Sequence, residues 1–304
     1  MSMIAVRRSL SSPAVAPLLP YLGLLAGMVS LAIGTSYAKL LFPVIGAEGT
    51  STLRVGLSAL VLIAIWRPWR FRLTRADAGK VMLYGVVLGL MNLCFYMSLR
   101  TIPLGLAIAI EFSGPLVLAL MHARKLIHFV WIACAVAGLG MLLPIWSGDH
   151  ALDPVGVAFA AAAGVFWALY IVFGKRLSHM HAGQSVALGM STAALVILPF
   201  GVAGAGLGLL SPPVLLLGLC VAVASSALPY SLEMIALRHI PKRTFGVLLS
   251  AEPAIGAIAG LILLHELLSS LQWLAIGCIV IASVGAILTT ERQSPMDAPV
   301  PTAN

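Results

Sequence analysis

Four ionisable side chains, Arg54, Glu111, Glu233 and Glu252, sit inside long apolar stretches of this chain. Glu111 interrupts IAIEFSGPLVLAL (108–120), and Glu252 interrupts VLLSAEPAIGAIAG (247–260). A charge at the centre of a membrane helix costs roughly 2.5–3.5 kcal/mol, so four approach ~10 kcal/mol. That is comparable with a typical total stability of roughly 5–15 kcal/mol. Pairing, a hydrated cavity, protonation or a bound ligand has to offset it, and ligand and proton chemistry is the default reading of such residues. Their helical neighbours extend the pattern. Thr50, Arg54 and Ser58 share one face at i, i+4 spacing, as do Asn92, Tyr96 and Arg100, while Ser226, Tyr230 and Glu233 line another. Polar faces turn inward in lipid. Hydrogen bonds that merely hold a bundle together would give the same stripes, so both readings stay open.

Two prolines stand beside the acids. Pro115 follows Glu111 by four residues and cannot donate to its carbonyl; Pro253 does the same to Leu249, next to Glu252. Broken helices at membrane depth are tolerated where they are buried in protein or line a cavity. Acid and helix break together point to a central cavity.

The elements that must carry these residues follow from composition. The chain has 304 residues, 61% hydrophobic and 9% charged, with a mean hydropathy of +1.06. A soluble domain is nearer 25% charged, so the bilayer is the expected solvent. Ten apolar runs are predicted as membrane helices: 20–39, 50–66, 80–98, 103–121, 127–146, 154–174, 185–204, 212–236, 243–264 and 270–289. With the N-terminus inside, every Lys and Arg except Lys39, Arg54 and Arg100 falls on the inner side. The +8 charge thus reads as orientation and not as a nucleic-acid footprint. The first run is read as an uncleaved span rather than a signal peptide. Cys94, Cys134, Cys220 and Cys278 lie far apart in apolar runs and predict no disulfide. His179 and His181 lack further ligands, so no metal or cofactor is expected, and His265–Glu266 reads as an interfacial pair closing span nine.

The chain resembles itself. YMSLRTIP (96–103) matches MIALRHIP (234–241) at an offset of 138, which also lays Pro115 on Pro253. SALVLI (58–63) matches AALVIL (193–198) at an offset of 135. The expected organisation is an all-α integral membrane protein of ten transmembrane helices in two inverted five-helix repeats. A cytoplasmic segment spans 1–19, the repeats span 20–146 and 154–289, an external loop spans 147–153, and a disordered cytoplasmic tail spans 290–304. Two halves of five spans must be inserted in opposite senses, a transporter signature with the site near the midplane. The charges are not repeated: Glu111 falls on Leu249, Glu252 on Gly114, Glu233 on Phe95 and Arg54 on Gly189. A scaffold needs only packing residues, so the unrepeated charges are the better ligand candidates.

The LR-x-I-P motifs, the block PAIGAIAGLILLHEL (253–267), and AKLLFPVIGAEG (38–49), PLGLAIAIEFSGPL (103–116) and ALPYSLEMIALRHIPKRTFG (227–246) carry a resemblance. Over residues 20 to 288 the chain is similar to the EamA-type permeases of the drug/metabolite transporter superfamily, and within them to the bacterial threonine/homoserine exporters. The resemblance implies a multi-pass inner-membrane exporter of small amino acids, driven by proton antiport through alternating access. An amino acid is a zwitterion, so Arg54 is expected to receive its carboxylate. Glu111, Glu233 or Glu252 would receive its ammonium, with Asn92, Tyr96, Tyr230 or Ser226 on a side-chain hydroxyl. A carboxylate withdrawn from water is a place where a proton and an ammonium compete, which makes the three acids the proton-coupling candidates. Partners are then the substrate, protons and the lipid bilayer, with a homodimer open. An exporter or importer of another metabolite or drug, a channel, and an intramembrane enzyme are the competing readings. The last lacks any G-x-S-x-G or H-E-x-x-H motif.

Overall fold

The computed structural model describes residues 18–70, 72–121, 126–142, 152–177, 179–240 and 242–289. Most of the expected cytoplasmic segment 1–19, most of the loop 147–153 and all of the tail 290–304 lie outside the described residues. Among those described, the regular structure is helical, without strands. Helix α1 spans Leu19–Ala38, α2 Phe42–Trp66, α3 Arg75–Ser98, α4 Leu104–Glu111, α5 Ser113–Leu120 and α6 Leu126–Leu142. The chain continues with α7 Pro154–Lys175, α8 Ala182–Ala205, α9 Pro212–Ala222, α10 Leu228–His239, α11 Lys242–Leu249, α12 Glu252–Leu264 and α13 Ser270–Thr289. Among the described residues, seven helical stretches are long and apolar enough to cross a membrane, and Leu104–Leu118 and Leu126–Leu142 are shorter apolar helices.

Local chemistry sets the helix ends. Thr74 caps α3, its Oγ1 accepting from Asp77 N at 3.1 Å and donating to Asp77 Oδ2 at 2.7 Å. Lys80, then Thr74 and His179, bond the Asp77 carboxylate and hold its pKa down at about 2. Asp153 caps α7, accepting from Gly156 N at 3.0 Å, with Pro154 at the first helical position. The Thr101 hydroxyl and that backbone bond keep the Asp153 carboxyl below its usual range. Helix α2 begins earlier than the apolar run at 50 suggests, because Gly46 (φ 67°) lets the backbone kink and helix form on both sides.

Three interruptions matter for the site. Helix α4 gives way to α5 at Phe112, three residues before Pro115. The break near Pro253 appears between α11, ending at Leu249, and α12, starting at Glu252. The third is unexpected from the sequence: Pro212–Glu233 is one continuous apolar span, and within it a π-helical turn, Val223–Ala227, separates α9 from α10.

The helices pack as α2 on α8, α4 on α12 and α6 on α13. Further contacts join α3 to α7 and α10 to α1, α3 to α8 and α9 to α2, and α5 to α7 and α12 to α1. Small residues permit the closest crossings, as expected where lipid supplies no hydrophobic drive between helices. A Cβ on Gly114 would sit 1.8 Å from the Gly164 carbonyl oxygen, and one on Gly105 would sit 2.4 Å from Ala257 Cα. Leu60, Val136 and Leu195 point outward and stay exposed in the protein alone, the side that lipid covers.

Candidate functional site

The broken helices surround a cavity of about 570 Å³. Arg54 reaches it from α2, Asn92 from α3, Glu111 and Pro115 from the α4–α5 break, Tyr230 and Glu233 from α10, and Glu252 from the start of α12. The structure therefore gathers all four intramembrane charges singled out from the sequence into one space. Lys175 at the end of α7, Phe245 near the start of α11 and Ile287 near the end of α13 carry the cavity to one end of the bundle.

The charged groups are treated in opposite ways. Arg54 is 4% exposed and held on several sides. Its Nε donates to Ser225 Oγ at 2.8 Å, Nη1 to Asn92 Oδ1 at 2.5 Å and Nη2 to the Ser225 carbonyl at 2.8 Å. Its guanidinium carbon lies 5.4 Å from the centroid of the Tyr96 ring, within cation–π range. Asn92 is oriented in turn, its Nδ2 donating to the Leu88 carbonyl at 2.8 Å. Glu111, Glu233 and Glu252 have no hydrogen bond or ion pair among the described residues. The site thus sets a positive group fixed by neutral acceptors in one cavity with three carboxylates that make no hydrogen bond among the described residues.

Placement separates the remaining candidates. Tyr96 is fully buried beneath Arg54 and does not line the cavity. Pro253 lies in the first turn of α12, also outside the lining. Ser226 is 1% exposed and does not line the cavity, while its neighbour Ser225 holds Arg54. The reason is the π turn. Its i to i+5 register carries the face of Tyr230 back to residue 225, where an α-helix would carry it to 226. Arg100 leaves the stripe of Asn92 and Tyr96 altogether, lying beyond α3 in an exposed ion pair with Glu48 at 3.4 Å.

Sequence reading missed Thr35, Trp167, Tyr170 and Lys175, which also line the cavity. Trp167 packs edge-on against Phe112 at the α4–α5 break (centroids 5.4 Å apart), and Tyr170 stacks on Tyr84 (4.9 Å). Aromatic residues in an apolar run carry no signal that separates cavity from lipid. Ser225 did carry one, since Pro229 follows it by four residues, as Pro115 follows Glu111.

At the other end of the bundle, Glu266 ties three elements together. It pairs with Lys39, after α1, at 2.5 Å and accepts the backbone N–H of Leu104, at the start of α4, at 2.8 Å. Its partner is thus Lys39 and not the adjacent His265, whose backbone turns left-handed (φ 55°) to end α12. Of the two loop histidines, His179 contacts Asp77 at 3.0 Å and His181 lies against Trp66.

Known proteins share this chain's pattern. A model of the EamA-like transporter family matches residues 154–288. An Escherichia coli protein named threonine/homoserine exporter RhtA is 47% identical over 276 residues, 91% of this chain and 94% of that one. A Salmonella typhimurium protein of the same name is 46% identical over 275 residues, 90% and 93% of the two chains. One solved crystal structure superposes with a TM-score of 0.51 at 20% identity, over 90% of this chain and 96% of that chain, a likeness that bears on the fold alone.

Proposed function

The chain belongs to the EamA-like transporter family, and from that premise we propose that this multi-pass inner-membrane protein exports threonine, homoserine or similar small amino acids by proton antiport. The observation that carries the reading is the cavity itself, in which a fixed guanidinium faces three carboxylates unpartnered among the described residues. A zwitterion needs one partner of each sign. Arg54 receives the carboxylate and one of Glu111, Glu233 and Glu252 the ammonium, while a proton takes that acid when the substrate leaves. Asn92 and Tyr230 stand where a side-chain hydroxyl would be read.

The membrane arrangement in this proposal has ten crossings, as two five-helix units of opposite sense. The helix contacts support it. Exchanging the first five spans for the second turns the α3–α7 contact into α1–α10, α3–α8 into α2–α9 and α5–α7 into α1–α12, and each of these pairs exists. With the cytoplasmic side assigned by Lys and Arg, the cavity runs inward and the Lys39–Glu266 pair closes the outer end. Alternating access then requires that pair to part.

The test is counterflow of labelled threonine and homoserine in proteoliposomes, with and without a pH gradient. Glu→Gln at the proton-exchanging acid should lower exchange at least tenfold, ~1.4 kcal/mol, and remove the response to pH. Wild-type exchange and pH response in all three single variants would end the reading. If wild-type protein instead carries another metabolite or drug and ignores both amino acids, the site stands and the substrate changes.

A further inference from the structure

The π turn has a local cause. Pro229 has no N–H, so it cannot serve the Ser225 carbonyl four residues back or the Ala224 carbonyl five back. Leu228 N instead donates to the Val223 carbonyl, which closes the π turn. The two freed acceptors are both taken by other helices. Ser30 Oγ on α1 donates to the Ala224 carbonyl at 2.7 Å, and Arg54 Nη2 donates to the Ser225 carbonyl at 2.8 Å. Helix α1 lies close against the turn, since a Cβ on Gly34 would come within 2.7 Å of Ser225 N. Ser225 is itself aligned, its Oγ donating to the Val221 carbonyl at 2.7 Å and leaving lone pairs for Arg54 Nε.

Ser225 thus meets the guanidinium with two acceptors, a hydroxyl on Nε and a carbonyl on Nη2. That is the side-on fork by which arginine commonly grips a carboxylate. With Asn92 on Nη1, one N–H on each nitrogen is engaged among the described residues. One remains on each terminal nitrogen, and Arg54 borders the cavity. We propose that the Pro229-induced π turn is a positioning element that occupies the side-on fork of Arg54 through Ser225, so that the substrate carboxylate is received by the terminal nitrogens. Ser225 and Pro229 are then specificity-determining residues that never touch the substrate. A guanidinium free to swing would still attract an anion, but would discriminate poorly between a carboxylate and a neutral amide of the same shape.

The inference rests on Arg54 as the carboxylate receptor, so its test separates the two. Threonine and threoninamide compete against labelled threonine in counterflow, and the ratio of their half-inhibitory concentrations is read in wild type, Arg54→Lys, Ser225→Ala and Pro229→Ala. Wild type should favour threonine, and Arg54→Lys should erase that preference. Ser225→Ala and Pro229→Ala should each reduce it about tenfold, the worth of one charge-assisted hydrogen bond, with the maximal exchange rate much less affected. Pro229→Ala keeps every polar group and restores an N–H that competes with Arg54 for the Ser225 carbonyl. A merely structural proline would therefore leave the ratio untouched, and this variant remains informative if Ser225→Ala fails to fold. Loss of preference in Arg54→Lys alone would overturn the positioning role and spare the receptor. A wild type that treats threonine and threoninamide alike would overturn both.

Discussion

Replacing Gly114 by alanine probes the crossing on which the cavity wall depends. Gly114 lies on α5 beside the break, and its new Cβ would fall 1.8 Å from the oxygen and 2.5 Å from the carbon of the Gly164 carbonyl on α7. Neither atom belongs to a side chain that could rotate away. Ordinary contact requires helices α5 and α7 to part by roughly 1.5 Å, and overpacking of this kind costs about 3 kcal/mol. The proper comparison is Gly277→Ala on α13, where a Cβ meets nothing within 4 Å. There alanine should gain up to about 1 kcal/mol from helix propensity alone. Because that propensity gain applies to alanine at both helical positions and cancels, the expected gap is about 3 kcal/mol, or roughly 6–12 °C in melting temperature at about 2–4 °C per kcal/mol. Thermal unfolding of the purified proteins in detergent measures it. Exchange should also fall in Gly114→Ala, because the same crossing brings Gly164 against the carbonyl of Glu111, where a Cβ would lie 2.7 Å from that oxygen. Equal melting temperatures for the two variants would refute the backbone-contact reasoning.

Two further outcomes follow from groups outside the cavity. Glu266→Gln keeps an acceptor for Leu104 N but loses the half-buried Lys39 pair, which is worth ~1–2 kcal/mol. Labelling of an Ile108→Cys reporter by an impermeant reagent from outside should rise about 5–30-fold, and unchanged labelling would show that the pair does not hold the outer end shut. Asp77 has its folded pKa lowered to about 2, chiefly by Lys80, so its contribution is fully present above the unfolded value of about 4 and lost as pH falls through about 2. The melting-temperature gap between wild type and Asp77→Asn should be constant above pH ~5 and close across that window; a gap that persists at the acid end would contradict the assignment.

How far the sequence disclosed the site depended on whether a signal was local. Glu111 and Glu252 announced themselves because an acid in an apolar run has no cheap solution, and Pro115 and Pro253 marked both helix breaks through a missing N–H. The inward turn of Arg54, Asn92, Tyr230 and Glu233 followed from spacing alone. α-Helical spacing puts Ser226 on the face of Tyr230, but one residue of π register shifts that face, and it is Ser225 that meets Arg54. Trp167, Tyr170 and Lys175 enter the cavity only through packing between distant spans, which apolar text does not encode. Lys39 and Glu266 are 227 residues apart, so their pairing needed the assembled bundle.

The separation of Arg54 from its holders has a consequence for biogenesis. Asn92 follows it by 38 residues, but Ser225 follows by 171. At about 5–20 residues per second, ribosomes deliver Asn92 within ~2–8 s and the π turn only after ~9–34 s. During that interval the guanidinium must be sheltered by the Asn92 amide and the Tyr96 ring, by water drawn into the bilayer or by the insertion machinery. The nascent chain is thus most exposed to quality control while its first half waits for its second.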